Sequence, residues 1–486
     1  MRRAAFTAIP AAVALAGALL VGSAGMLARA GHRVDELHTQ PFDKRHAPTS
    51  QYLTEAQCLA TKSIRLPCYD PAQLQTAYNE QPLFDAGITG KGQTIAIVDS
   101  FGSPTIGHDL GVFDKTFGLP TPPSFRVIQP AGTVPRYDPH TTTMVRWAGE
   151  TTLDVEWAHA MAPGANILLV ETPVSETEGT AGFPQIAAAE TYVIDRNLAD
   201  VISQSFGANE QTFTSARSLE TLGAAYVEAQ SRKITVLAAT GDTGATAPLT
   251  ATEVNYSQTP AVTWPASDPL VTAVGGTQLT LNAAGQRTAP DRAWNDSYDA
   301  TVNEFVFGTP SPHPDASGGG LSAVYARPSY QDGVSGVVSD HRGVPDISMS
   351  AACSGLVDTY QSFPGTTPAG WYYVCGTSEA TPLFAGIVAL ADQVARHPLG
   401  VINPALYAMA AAHDPGIVPV TQGDNTVSFE EGGTQHTVNG YAATSGYSLV
   451  TGLGTVDAAL FVPELAHTAA VVGTRVTYAF LPPGAG

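Results

Sequence analysis

The chain reads as an α/β protein: a parallel sheet covered by helices on both faces, forming a single catalytic-size domain. Two observations predict this. Short, continuously apolar runs recur at Gln93–Asp99, Asn166–Val170, Asp200–Ser205 and Ile234–Ala239, and strands that are apolar without alternation are buried on both faces. Helical periods fill the intervals, at roughly 149–160, 183–197 and 213–231. Strand, helix, strand is the connection that parallel neighbours require.

At the N-terminus, Arg2 and Arg3 precede an apolar run from Ala4 to Val21, and Ala28-Arg29-Ala30 has the small-x-small form of a cleavage site. Residues 1–30 are therefore expected to be a secretory signal peptide. A membrane anchor is the competing reading, because the run is only just long enough to span a bilayer. Residues 31–64, which open polar and carry no apolar period, are expected to be a linker or short propeptide. The domain then runs over 65–466, with a loop-rich stretch at 280–320 and a strand at Trp371–Val374 feeding an apolar helix over about 378–396. A tail follows over 467–486, with one more strand at Thr474–Phe480.

Composition limits the partners. Of 486 residues 14% are charged, and the formal net charge is −20. An acidic surface repels phosphate, so nucleic acid is excluded as a partner. Carboxylates that lose their charge in acid leave few cations to repel one another, so the balance also suits an acidic medium. Beyond the signal no segment is apolar enough to hold a membrane. The chain is expected to act as a secreted, extracellular monomer on protein or peptide substrates. The four cysteines fit export. Cys58 and Cys68 are near neighbours, as are Cys353 and Cys375, and bonds within each couple are expected, one of the three pairings four cysteines allow.

The chemistry gathers around Gly376-Thr377-Ser378. A serine after a strand and a glycine, at the start of a helix, can present its Oγ beside unpaired backbone N–H groups, as an acyl-transfer nucleophile must. The ordinary role of such a serine is an N-cap, so its partners decide. No histidine sits at a His-Gly-Thr helix start. In its place stand Glu150 and Asp154, four residues apart and so on one helix face, with Leu153 and Trp157 on an adjacent apolar face. Most such pairs are a solvated acidic face. A buried pair of like charges needs a reason, and two carboxyls sharing a proton supply one. Asp242, in Thr240-Gly241-Asp242, has the form of an Asx-turn residue; kept protonated, it would instead be a hydrogen-bond donor to an oxyanion. His108 is expected to be a loop or cap residue, and His159 a packing or surface one.

With Ile95–Ser100, Ser203-Gln204-Ser205-Phe206-Gly207, Val274–Thr277, Ser317–Gly320 and Val344-Pro345-Asp346, these motifs stand in the order found in the sedolisins, the serine-carboxyl peptidases of subtilisin-like fold, which the chain resembles over roughly 65–465. The resemblance implies that Ser378 is the nucleophile, Glu150 the general base and acid, Asp154 its proton-sharing partner and Asp242 the oxyanion donor. The Ser378 N–H is the second donor, and Ser205 and Gly207 bind the substrate backbone. A glutamate titrating near about 4.3 accepts a proton at about pH 3 to 5, where a histidine of about 6.5 is mostly charged, so activity is expected in acid. An endopeptidase leads; a tripeptidyl-type exopeptidase or a non-catalytic binding protein are the alternatives. The family's calcium site has Pro419 and Ser448 where its two carboxylates belong, with Asp424 the nearest substitute, so no cofactor or metal is expected. A member lacking the long prodomain usual in the family is expected.

Overall fold

The computed structural model describes residues 44–176, 181–250, 255–366 and 369–482, and side chains from 49 onward. The expected signal peptide lies outside them. All described residues belong to one compact unit that begins at Leu37. Among them, no helix is long and apolar enough to cross a membrane.

The apolar runs become the centre of a sheet. Its strands lie in the order Arg292–Ala293, Thr272–Gln278, Thr235–Ala239, Val201–Gln204, Thr94–Ser100, Asn166–Thr172 and Phe125–Ile128, and Ile347–Ser350 also pairs with Thr272–Gln278. Every pairing is parallel except that of Arg292–Ala293. Along Thr94–Ser100, Ile95 and Ile97 enter the core on one face, Ala96 and Val98 the core on the other. Two layers of helix therefore cover one sheet, and the subtilisin-like α/β fold predicted from the sequence is the fold observed.

Two helices define the first of these layers. Thr142–Met161, here the carboxylate helix, is buried on every side from Trp147 to Met161, and a helix without a polar face belongs in the middle of a domain. Thr377–Ala395, the nucleophile helix, is buried from Thr377 to Asp392. They lie side by side. A Cβ at Gly386 would come within 2.5 Å of Met161 Cβ, closer than two carbons can stand, so glycine here is what lets the helices touch.

Several expectations change. The stretch 31–64 is not a structureless linker in its described part. Lys44–Thr49 pairs antiparallel with Gly370–Cys375, Glu55–Ala60 is helical, and Cys58 and Ile64 join the core. Polar residues hid this because one edge strand and one short helix carry no apolar period. The helical period at 213–231 is two helices, Ala216–Leu222 and Ala224–Arg232, meeting at Gly223. The loop-rich 280–320 holds a helix, Ala300–Phe307, capped by Asp299. The C-terminal helix Ala458–Val472 overruns the expected boundary at 466. The strand expected at 474–480 is reduced to a bridge between Tyr325 and Phe480, flanked by Ala326 N–H to Ala479 O and Leu481 N–H to Val324 O; the tail is pinned mainly by Val476, Tyr478 and Phe480 packing on the second core.

Candidate active site

The site forms where neighbouring strands end. Val201–Gln204 and Thr235–Ala239 are adjacent and in register, Gln204 opposite Ala238, so the segments that follow them, Ser205–Gly207 and Thr240–Asp242, leave the sheet side by side. Carboxyl ends of parallel strands are the usual place for chemistry.

The nucleophile turn comes from another direction. The strand Gly370–Cys375 is tied to Cys353 by a disulfide, and Gly376 N–H bonds Ala351 O at 2.8 Å. Cys58 is joined to Cys68, so both expected disulfides are present. Gly376 then turns the chain with φ of 123°, a conformation that a side chain would oppose, and the nucleophile helix starts at Thr377. Ser378 is wholly buried, and its Oγ has no hydrogen-bond partner among the described residues. Its N–H lies in the first turn, whose amides have no acceptor within the helix.

Asp242 is held from this turn. Its Oδ1 accepts from Thr377 N–H at 2.8 Å and from Thr377 Oγ1 at 2.7 Å. The Thr377 hydroxyl in turn accepts from Gly241 N–H at 3.1 Å, which directs its hydrogen at Asp242. On the other flank, Ser205 Oγ donates to Asp154 Oδ1 at 2.9 Å and lies 3.4 Å from the Ser378 carbonyl oxygen. Glu150 is one turn earlier on the same helix, and Glu150 and Asp154 are both wholly buried. The structure thus gathers Asp154, Asp242 and Ser378 through Ser205 and Thr377, and sets Glu150 on the same helix as Asp154, one turn away. The Ser205 hydroxyl is directed to the carboxylate helix, a contact the resemblance did not include. Gly207 leads directly into the antiparallel pair of Ala208–Asn209 with Thr263–Trp264.

Sequence reasoning missed three residues. Thr377 holds Asp242, and a hydroxyl preceding the serine was its only signal. Glu379, the next residue after Ser378, is wholly buried; burial pushes its carboxyl well above the usual range, a Ser350 hydrogen bond opposes this, and the Asp242 charge adds to it. Asp99 is the penultimate residue of the Thr94–Ser100 strand and is buried, and alternation puts it on the face of Ile95 and Ile97, the side of the core that includes Leu153 and Trp157 of the carboxylate helix. Its position at a strand's carboxyl end was the readable signal. The histidines stay out, as expected. His108 is mostly exposed, with Nδ1 3.0 Å from Asp109 and 3.3 Å from Ser362 Oγ. His159 is buried, donates Nε2–H to Pro120 O, and is pushed down to about 4 by desolvation.

The residues where the resemblance puts a calcium ion do not fit one. Ser448 Oγ is 2.9 Å from Thr451 Oγ1, and Ser448 exchanges two backbone hydrogen bonds with Gly452, both 2.9 Å. Pro419 brings no side-chain oxygen. Asp424 accepts from Thr426 N–H and lines a separate cavity with Gln278, Arg292 and Asn295. A hard cation needs anionic oxygens to offset its dehydration. Asp296, Asp315 and Cys353 also converge, but the Cys353 sulfur is committed to its disulfide.

Comparison with known proteins agrees with this geometry. Residues 90–432 match the subtilase family. The chain is 30% identical over 431 residues to kumamolisin of Bacillus sp. (strain MN-32), an alignment covering 86% of this chain and 67% of kumamolisin. It is 30% identical over 319 residues to tripeptidyl-peptidase 1 of Homo sapiens, covering 63% of this chain and half (50%) of that one. The solved structure of Pseudomonas sedolisin, a serine-carboxyl proteinase complexed with pseudo-iodotyrostatin, superimposes with a TM-score of 0.63 at 25% identity, over 84% of this chain and 98% of that one. With a subtilisin-like sheet, a serine flanked by carboxyls instead of a histidine, and these relatives, the chain belongs to the sedolisin family of serine-type peptidases.

Proposed function

We propose that the protein is a secreted, acid-active serine-carboxyl endopeptidase. In this reading Ser378 Oγ attacks the peptide carbonyl carbon and its proton passes to Glu150, whose partner Asp154 shares the charge. The C=O electron pair moves onto oxygen, where neutral Asp242 and the Ser378 N–H receive it. Collapse expels the amine, which takes the proton from Glu150. Water then repeats the sequence on the acyl-serine. Because Asp242 Oδ1 accepts two hydrogen bonds from Thr377, its proton belongs on Oδ2. The observation that carries the reading is this pair of anchors, Thr377 to Asp242 and Ser205 to Asp154, converging on the turn that holds Ser378.

The test is digestion of a denatured protein at about pH 3 to 5, the range in which a carboxylate can act as base, with sequencing of the products. Internal cleavage is expected from the wild type and none from Ser378→Ala. Similarity to a protein named tripeptidyl-peptidase 1 favours a second reading, an exopeptidase on the same residues. Cleavage of N-terminally blocked peptides supports the endopeptidase, and cleavage confined to free N-termini the exopeptidase.

Export is supported by the arginine-led apolar N-terminus and by the two disulfides. Peptides or proteins are the substrates, and the acidic surface argues against nucleic acid. We further propose that the enzyme is a monomer, makes no stable membrane contact and needs no calcium. Its melting temperature should be unchanged by EDTA, and a fall would restore the metal.

A further inference from the structure

Ser205 stands one residue beyond the Val201–Gln204 strand and is wholly buried. Its hydroxyl has one hydrogen and two acceptors in reach, Asp154 Oδ1 at 2.9 Å and the Ser378 carbonyl oxygen at 3.4 Å. The second acceptor is free for a reason written in the sequence. Within a helix the Ser378 carbonyl would accept from the N–H four residues on, but that residue is Pro382 and has none. The nearer carboxylate oxygen takes the hydrogen, since bonds to ionised acceptors are shorter and stronger, and the carbonyl is the weaker partner.

We propose that the Ser205 hydroxyl is a positioning group for the proton-sharing pair, separate from any backbone contact this segment makes with substrate. The hydroxyl occupies Oδ1 of Asp154, so that the proton shared with Glu150 is carried at Oδ2, and it fastens that carboxyl to the first turn of the nucleophile helix. The inference rests on the catalytic roles given above. A carboxylate turns broadly about its last torsion, and the Ser205 hydroxyl is one restraint on that torsion of Asp154. A donor also favours the charged form of the group it bonds, so its loss makes the pair take up its second proton at higher pH. Titratable groups on the elements packed around Asp154 include Glu150, Glu156 and His159 on its own helix, Asp99 on the Thr94–Ser100 strand, Glu379 on the nucleophile helix, Asp242 on the turn beside it, and Asp114 and Asp358 on neighbouring elements. Each can change charge with pH, and none replaces a hydroxyl donor that is neutral across the acid range.

The experiment compares wild type, Ser205→Ala and Ser205→Thr on a blocked peptide from about pH 2 to 7, the span over which carboxyls titrate. Ser205→Ala is expected to lower kcat about tenfold with KM unchanged and to move the acid limb of the rate profile upward by about half to one pH unit, the scale of one charge-assisted hydrogen bond. Ser205→Thr, which restores the hydroxyl, should return the limb toward wild type; if the added methyl prevents folding, the Ala profile decides alone. A raised KM at unchanged kcat would make Ser205 a substrate contact, and an unmoved limb with only a lower melting temperature would make it packing. Either result overturns the proposal. A readout free of turnover separates it from the catalytic reading. In a Ser378→Ala background, infrared titration of the carboxyl band should shift to higher pH on adding Ser205→Ala. Should the wild type prove inactive while this shift is seen, the catalytic reading fails and the positioning survives.

Discussion

In the proposed mechanism Asp242 carries the acid requirement. Only a protonated carboxyl can donate to an oxyanion; once ionised it repels the charge it should receive. Asn at this position has nearly the same shape, keeps an oxygen for the two Thr377 donors and offers an N–H at every pH. Asp242→Asn should therefore retain activity at about pH 4 within about tenfold while losing the fall toward neutrality, because the titrating donor is gone. A rate profile that still drops near neutrality would remove Asp242 from the oxyanion role. At this scale, Ser378, Glu150, Asp154 and Asp242, the residues of the proposed mechanism, could be singled out because each is a chemical type in a revealing local setting. The contacts that gather them could not. Nothing in Ser203-Gln204-Ser205 says that the hydroxyl of residue 205 reaches a helix about fifty residues earlier, and Thr377 was hidden behind the serine it precedes.

Among the elements, the nucleophile strand depends most on covalent support. Cys375 is the last residue of its strand, its partner Cys353 lies 22 residues back, and the positive-φ turn at Gly376 follows at once. Closing a loop of this length stabilises by about 3 kcal/mol in the chain-entropy account. Cys353→Ser with Cys375→Ser should lower the melting temperature accordingly, by several degrees in differential scanning calorimetry, and an unchanged transition would mean that packing alone fixes the strand. The long buried strands and helices were readable because burial on both sides leaves an unbroken apolar run. The exceptions share one cause. Lys44–Thr49 is an edge strand with nothing to cover, and Ala300–Phe307 rests on a capping Asp299 more than on period. Short elements that borrow their stability from neighbours leave too little local pattern to be read.

The molecule as a whole is loaded with buried acids. Desolvation pushes Asp268 up to about 6, Asp114, Glu210 and Asp296 to about 7, and Glu190 to about 8; for Asp296 the nearby Asp315 charge adds to it. Glu156, on the carboxylate helix, and Asp358 are also raised, by burial first and neighbouring carboxylates second. The sign follows directly. A carboxyl whose folded value lies above its unfolded one contributes stability that is whole below about pH 4 and is lost as the pH climbs through the folded value. The melting temperature should therefore be highest near pH 4 and fall between about 4 and 8, levelling off once the folded values are passed; a curve flat over that range would mean these groups ionise freely in the fold. The sequence supports the proposed acid preference through composition and through a candidate base that is not histidine. A second support, buried carboxyls held above their usual range, became visible once the fold showed which acids are buried. One last consequence comes from the contact of Gly386 with Met161. The two helices touch there and are linked a second time through Ser205, which joins Asp154 to the Ser378 carbonyl. In the proposed mechanism, two separate ties therefore keep the spacing between proton acceptor and attacking oxygen.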